Sequence, residues 1–340
     1  MSTVELSTSG TPAAVVTGIG ACLPERVIKN DEIAERLDVT TDWIRERTGI
    51  EQRHVLEPGA STSDLATEAA RRALESAGLD RVGFLVIATC TPDHSIPGTA
   101  PVVAARLGLG GIPAFDVNAA CSGFLYALTI GAGLLAAGTY TTGLVIGAEA
   151  MSTVPDPDDR MTAPLFGDGA GAVVIRAGRP DEPGALAARL LGSDGEQADL
   201  LVVPAGGARQ RVAGTVPERA EQYLQMQGRV VYRNAVARMT EASQAVMNEM
   251  GWSVEEVDWL VGHQANKRIL DATAAAIGIP PERAIVNVDR VANTSAASIP
   301  LALADAAESG LLHPGDRIVL TAFGAGLTWA AAAITWPELG

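Results

Sequence analysis

Lysine is nearly missing from this chain: only Lys29 and Lys267 stand among 25 basic residues, and 40 acidic residues leave a formal net charge of −15 over 340 residues. A general nucleic-acid or membrane-surface binder needs clustered positive charge, so both classes are excluded as expectations. Any anionic ligand must be met locally, by arginines suited to bidentate contacts with phosphate or carboxylate. Cysteine is also scarce. Cys22, Cys90 and Cys121 are odd in number, far apart and free of any C-x-x-C, which fits neither a disulfide framework nor a zinc site. There is no Walker A loop, no H-E-x-x-H and no EF-hand loop, and FGDGAGA (166–172) lacks the G-x-G-x-x-G spacing. Metal catalysis and dinucleotide binding therefore have no support. The first ten residues carry neither a basic nor an apolar signal region, so a cytoplasmic location is expected.

What is present is apolar: 47% of residues are hydrophobic and 19% charged, enough for a large core and against disorder. Thirty-six glycines and nineteen prolines show no three-residue period and punctuate elements rather than build a fibre. Short apolar runs at 15–21, 84–90, 143–149, 170–176, 258–264 and 317–324 alternate with helical patterns such as Ser63 to Ala77 and Val230 to Met250. That alternation predicts an α/β architecture with buried, largely parallel strands. The stretch from Val117 to Ala148 has no charged residue and is long enough for a bilayer, but Asn118, Ser122, Thr129 and a turn near Gly138 divide it. It is read as a helix buried on all sides, then a turn and a strand.

An internal repeat organises these elements. Val16 aligns with Leu190, FLVIATC with WLVGHQA, Gly143 to Ala150 with Arg317 to Gly324, and Cys121 with Ser295, all at about 174 residues of separation. The chain is read as two homologous halves, 1–176 and 186–340, joined by the polar turn 177–184. Equivalent strand ends of such halves converge, which brings Cys121, His263 and Asn293 toward one central site.

Cys121 follows the apolar run IPAFDV and opens a helical segment, a position where backbone N–H groups and the helix dipole favour a thiolate; the alternative is an inert buried cysteine. Cys22 and Cys90 lack that context and are read as core or loop residues. His263 ends the apolar strand WLVG beside Gln264 and Asn266, placed either to present imidazole to a cavity or to serve as a hydrogen-bonded structural histidine. His54, His94 and His313 are read as structural or exposed. Asn293, in ANTSAASIP, fits a helix N-cap on residues alone. FGAGL (323–327) is a glycine loop able to bring backbone N–H groups to a bound oxygen.

Taken together and in order, NAACSGF, GHQANKRI, ANTSAASIP and FGAGLTWA resemble the β-ketoacyl-acyl-carrier-protein synthase III family of the thiolase superfamily. The resemblance covers nearly the whole chain, from GIGACLPERV through TDWIRERTGI to the C-terminal strand. It implies a thiolase-like five-layered αβαβα fold of two duplicated halves. It implies an acyltransferase that condenses an acyl-CoA starter with malonyl-acyl carrier protein, by decarboxylation, through an acyl-cysteine, and so initiates fatty-acid synthesis. Cys121 would be the nucleophile, His263 and Asn293 the enolate-stabilising pair, and the backbone N–H groups of Cys121 and Ala325 the oxyanion hole. Trp43, Arg47, Arg160 and Asn266 would bind CoA, although Trp43 alone also fits core packing. Arg233 and Arg268 would meet the carrier protein. Ile96, in a loop that a partner subunit would insert, and Phe323 would line the acyl pocket. No cofactor or metal is implied, and a homodimer is.

The sequence departs from the family pattern at Ala275 and Ala276, where some relatives carry lysines, at Ala292 and Ala325, which replace glycines, and at Ile96, which replaces a larger aromatic residue of acetyl-specific members. The last change predicts acceptance of acyl groups longer or more branched than acetyl. Two other readings stand beside this one. The first is a related enzyme of polyketide priming or of acyl transfer to a non-carbon nucleophile; His263 and Asn293 favour decarboxylation, because plain acyl transfer would not need that pair. The second is a non-catalytic partner subunit, which would lack Cys121.

Overall fold

Strands buried on both faces read as unbroken apolar runs, and two sheets of such strands build this protein. The computed structural model describes residues 13–339; the segment on which the signal expectation rested lies outside them. The first sheet comprises β1 (Ala13–Cys22), β2 (Leu85–Ala88), β3 (Ala114–Val117), β4 (Thr142–Ala150) and β5 (Asp168–Gly178), in the order β1-β5-β4-β2-β3. The second comprises β6 (Leu186–Ser193), β7 (Trp259–Gly262), β8 (Arg317–Gly324) and β9 (Thr328–Thr335), in the order β7-β8-β9-β6. Two further two-stranded ribbons lie outside these sheets.

The expectation of largely parallel strands is corrected. β2 runs parallel to β3 and β4, and β7 parallel to β8. The β1/β5, β4/β5, β8/β9 and β9/β6 pairs are antiparallel. A strand covered on both faces has the same composition in either direction, so the apolar runs carried no information on polarity.

The main helices are α1 (Asn30–Leu37), α2 (Thr41–Thr48), α3 (Thr62–Ser76), α4 (Gly123–Ala136), α5 (Gly228–Met250), α6 (Lys267–Ile277) and α7 (Ser298–Glu308). Alternation along the strands sets the layers. Val86 and Val145 turn inward onto Phe124, Leu125 and Leu128 of α4, while Ile318 and Leu320 share that core with Ile299 and Leu303 of α7. Leu85, Ile87, Leu144 and Ile146 turn outward onto the alanine face of α3. On the other side Leu260 and Val319 meet Ala242 and Val246 of α5 and Ala274 of α6. The result is the five-layered αβαβα order, with α4 and α7 between the sheets. Burying one large aliphatic side chain contributes ~1.5–3 kcal/mol, and the cluster between the sheets is the largest single set of such residues.

The charge-free stretch is thereby explained, with one correction. α4 is not covered all round: Ile130 and Gly133 are exposed, because a layer of only two helices leaves α4 a flank at its margin. Among the described residues no helix is long and apolar enough to cross a membrane.

The pairing supports the reading of two related halves, 1–176 and 186–340, which we retain as a proposal. Ala284 bridges to Leu260 in parallel, beside β7, as β3 lies beside β2. The site register shifts by one residue from the sequence alignment. Short 3₁₀ turns at Ala120–Ser122 and Ser295–Ala297 lead directly into α4 and α7, so Ala120 corresponds to Ser295 and Cys121 to Ala296. Ala120 and Ser295 share an unusual backbone, with φ of 45° and 49°.

Candidate active site

At two places the halves meet backbone to backbone. A Cβ on Gly147 of β4 would lie 2.3 Å from the Ala296 carbonyl, and one on Gly324 of β8 would lie 2.7 Å from the Cys121 nitrogen. Only glycine permits either approach. These contacts fix the start of α4 against the end of β8, and a cavity of about 1460 Å³ opens there. Cys121, His263 and Asn293 all line it, as do Phe323 and Ala325. The convergence expected from the sequence is therefore found.

Cys121 sits in the 3₁₀ turn before α4, partly accessible through the cavity. The expectation that the helix start would depress its pKa is not met. Burial pushes the thiol up to about 12, opposed by a hydrogen bond from Ser295 and reinforced by the charge of Glu149. Desolvation is the largest influence on this thiol.

His263 is 3% exposed, and its backbone N–H donates to the Thr321 carbonyl at 2.8 Å, tying the end of β7 to β8. Burial alone lowers its pKa to about 3, so the imidazole is neutral across the physiological range. Its Nδ1 lies 2.7 Å from Ser298 Oγ. Asn293 is held by its main chain, with its N–H donating to the Leu165 carbonyl at 2.9 Å and its carbonyl accepting from the Gly167 N–H at 3.2 Å. Its Oδ1 accepts from the Ser295 N–H at 2.9 Å, which leaves the Nδ2 protons for the cavity. The N-cap reading of Asn293 gives way to this arrangement: the nearest helical turn begins at Ser295. Preceding it, Ala292 has φ 59° and ψ −162°, a region essentially reserved for glycine, so the departure from glycine noted in the sequence is a strained one.

The predicted CoA residues gather at the cavity mouth. Arg47 stacks over the half-buried Trp43 ring at 4.4 Å. Asn266 caps α6, accepting from the Arg268 N–H at 2.9 Å, and its Nδ2 donates to the Arg47 carbonyl at 2.9 Å. The exposed Arg160 lines the same mouth. So do Arg233 and Arg268, and Arg229, which the sequence reading missed. Ala275 and Ala276 lie exposed on α6. Ile96 does not line the cavity of its own chain; it is 89% exposed, beside the cis peptide to Pro97.

Cys22 is a partly buried residue of β1, as expected. Cys90 is a partly buried loop residue just after β2, as expected, and it also lines the cavity. Its Sγ donates toward Glu149 Oε1 at 3.3 Å and lies 3.8 Å from Ser295 Oγ. Glu149 is fully buried and accepts from Thr91 Oγ1 at 2.6 Å and from the Cys90 N–H at 3.1 Å. Burial raises its pKa against these bonds. No motif announced Glu149, and although Ser295 and Ser298 lie within ANTSAASIP, their contacts with Cys90 and His263 are remote in sequence and gave them no role there. His54 bonds the Pro24 carbonyl at 2.6 Å, and His94 and His313 are exposed. Asp168 of FGDGAGA is a buried staple that accepts from the Leu56 and Ser152 N–H groups at 2.8 and 2.7 Å.

Comparison with known proteins follows the same lines. Residues 115–195 match the family model of 3-oxoacyl-[acyl-carrier-protein] synthase III, and residues 247–336 match the model of its C-terminal part. A β-ketoacyl-[acyl-carrier-protein] synthase III of Streptomyces coelicolor is 55% identical over 331 residues, covering 97% of this chain and 99% of that one. The crystal structure of 3-oxoacyl-(acyl carrier protein) synthase III from Pseudomonas aeruginosa superposes with a TM-score of 0.91 at 47% identity, covering 96% of this chain and 99% of that one. A priming β-ketosynthase of a polyketide pathway superposes with a TM-score of 0.89 at 33% identity, covering 99% and 100%.

Proposed function

Because this chain belongs to the β-ketoacyl-[acyl-carrier-protein] synthase III family, and is an acyltransferase of that type, we propose a division of labour among its own residues. In the first half-reaction Cys121 Sγ attacks the thioester carbonyl of an acyl-CoA. The carbonyl oxygen is held by the backbone N–H groups of Cys121 and Ala325. The C–S bond to CoA breaks, CoA leaves carrying the thiol proton, and the acyl group stays on Cys121.

In the second half-reaction malonyl-acyl carrier protein enters. His263, through its ring N–H, and Asn293, through Nδ2, donate to the malonyl thioester oxygen. The bond to the carboxylate breaks, CO2 leaves, and the electron pair forms an enolate held by those two donors. The enolate carbon attacks the acyl-Cys121 carbonyl, the C–S bond breaks, and 3-oxoacyl-carrier protein departs. Cys121 recovers its proton from water. No step calls for a cofactor.

The observation that carries this reading is the pairing of a neutral, buried His263 with an Asn293 whose oxygen is already occupied. Plain acyl transfer has no use for two donors beside a nucleophile. CoA would lie at the Arg47, Trp43, Arg160 and Asn266 mouth, with arginine meeting phosphate and Trp43 meeting adenine. Arg229, Arg233 and Arg268 would receive the acidic carrier protein. A second copy of the chain would supply Ile96 to the acyl pocket, which explains an isoleucine 89% exposed on the lone chain. The resemblance to a priming ketosynthase supports a second reading, in which the same chemistry starts a polyketide; starter and carrier alone separate the two.

Intact-mass measurement tests the proposal. The protein is mixed with acetyl-, isobutyryl- and longer acyl-CoAs, then with malonyl-carrier protein. An acyl adduct on Cys121, followed by CO2 and ketoacyl product, is expected, with branched or longer groups accepted. An adduct that never yields CO2 would reduce the activity to acyl transfer without condensation, and strict preference for acetyl would refute the role given to Ile96.

A further inference from the structure

Ser298 opens α7 fully buried, and its hydroxyl has two polar partners among the described residues. One is the Gln264 N–H, 3.3 Å from Oγ, and the other is His263 Nδ1 at 2.7 Å. The Gln264 N–H can only donate, so it occupies a lone pair of Oγ. Gln264 itself cannot move aside. Its side chain donates to the Gly262 and Ile285 carbonyls at 2.9 and 3.0 Å and accepts from the Asn287 and Val288 N–H groups at 3.0 and 3.2 Å. The single Ser298 hydroxyl proton then has one acceptor within reach, the Nδ1 lone pair. With Nδ1 accepting, the ring proton must reside on Nε2. The opposite tautomer would strand a buried hydroxyl proton and present a lone pair, not a donor, to the cavity.

We propose that Ser298 is the positioning residue that fixes His263 as its Nε2–H tautomer, so that His263 and Asn293 present two donors to one substrate oxygen. The inference rests on the decarboxylation role given to His263 above. Asn293 is oriented by the same device, since the Ser295 N–H occupies its oxygen as the Ser298 hydroxyl occupies Nδ1. Two residues of one short segment thus set the polarity of both partners. Acylation of Cys121 requires neither donor, so Ser298 acts on one half-reaction alone.

The test reads the tautomer directly. Full-length protein labelled with 15N-histidine carries four imidazoles, and the His263 signals are assigned by their loss in His263→Ala. In the wild type Nδ1 is expected as the unprotonated, pyridine-type nitrogen and Nε2 as the protonated one. Ser298→Ala is expected to mix the two tautomers and to slow decarboxylation of malonyl-carrier protein by about tenfold or more, while acylation of Cys121 by acyl-CoA stays within about threefold of wild type. Ser298→Thr, which keeps the hydroxyl, restores both readings. A proton on Nδ1 in the wild type overturns the proposal without recourse to any variant. So does a Ser298→Ala protein that keeps the Nε2–H tautomer, or that loses both half-reactions together. If instead His263→Ala still decarboxylates the malonyl thioester, the function assigned to His263 fails, and the nitrogen signals still decide the role of Ser298.

Discussion

Alkylation of Cys121 by iodoacetamide should accelerate about tenfold per pH unit between about pH 6 and pH 9, with no plateau, because only the thiolate reacts. Burial pushes this thiol up to about 12, so roughly one molecule in 10⁵ carries a thiolate at neutral pH. The opposing influence can be bounded. A helix N-terminus stabilises an anion by at most ~2 kcal/mol, equivalent to lowering a pKa by about 1.5. Granting all of it, the thiol would still titrate well above neutrality. Peptide mapping after timed alkylation separates Cys121 from Cys22 and Cys90, and free glutathione in the same tube supplies the reference. Removing the Ser295 hydroxyl should slow Cys121 further, since its hydrogen bond favours the thiolate. A rate at Cys121 that levels off near or below pH 7 would refute the reasoning and return the helix dipole to control.

Three further outcomes are expected. His263 titrates at about 3 in the fold against 6.5 as its ordinary value, so the unfolded chain binds the extra proton between those values; the neutral buried ring favours folding fully above about pH 6.5 and loses about 5 kcal/mol of that contribution as pH falls toward 3. Urea midpoints of wild type and His263→Ala should therefore converge on acidification, and parallel pH dependences would count against it. Ala292→Gly relieves a backbone conformation that suits glycine and should raise the unfolding free energy by about 1 kcal/mol, with an unchanged or lower value in urea titration speaking against strain there. Charge reversal of Arg229, Arg233 and Arg268 together should weaken malonyl-carrier protein capture about tenfold or more and abolish its salt dependence, while a retained salt dependence in surface-plasmon titrations would move the docking site elsewhere.

How much of this was legible in the sequence depended on distance along the chain. α3 and α5 announced themselves through local period, and Cys121 through the apolar run before it and the helix after it. Strand polarity did not, because β5 and β9 are buried on both faces and their apolar content is the same either way. The one-residue slip of the repeat at Cys121 came from carrying one offset of about 174 residues over to this segment, where the two 3₁₀ turns align Cys121 with Ala296. The parts played by Cys90, Glu149, Ser295 and Ser298 were illegible for a different reason. Cys90 meets Ser295 across 205 positions and Glu149 meets Ala296 across 147, so no local pattern marks the contacts they make. The thiol pKa was misjudged because a helix start is visible in a sequence whereas the dryness of its surroundings is not.

The contacts at Gly147 and Gly324 bear on how such a protein can diversify. At both, one half of the chain touches the other through peptide groups, with no side chain between to lengthen, shorten or tilt. Substitution can remodel the walls of the cavity, where Cys90, Met151 and Phe323 contribute side chains, and so alter which acyl group is held. The attacking end is excluded from that freedom: the spacing between Cys121 and the opposing strand is one peptide plane resting on another. Descent with modification can therefore change the guest while the point of attack stays where it is.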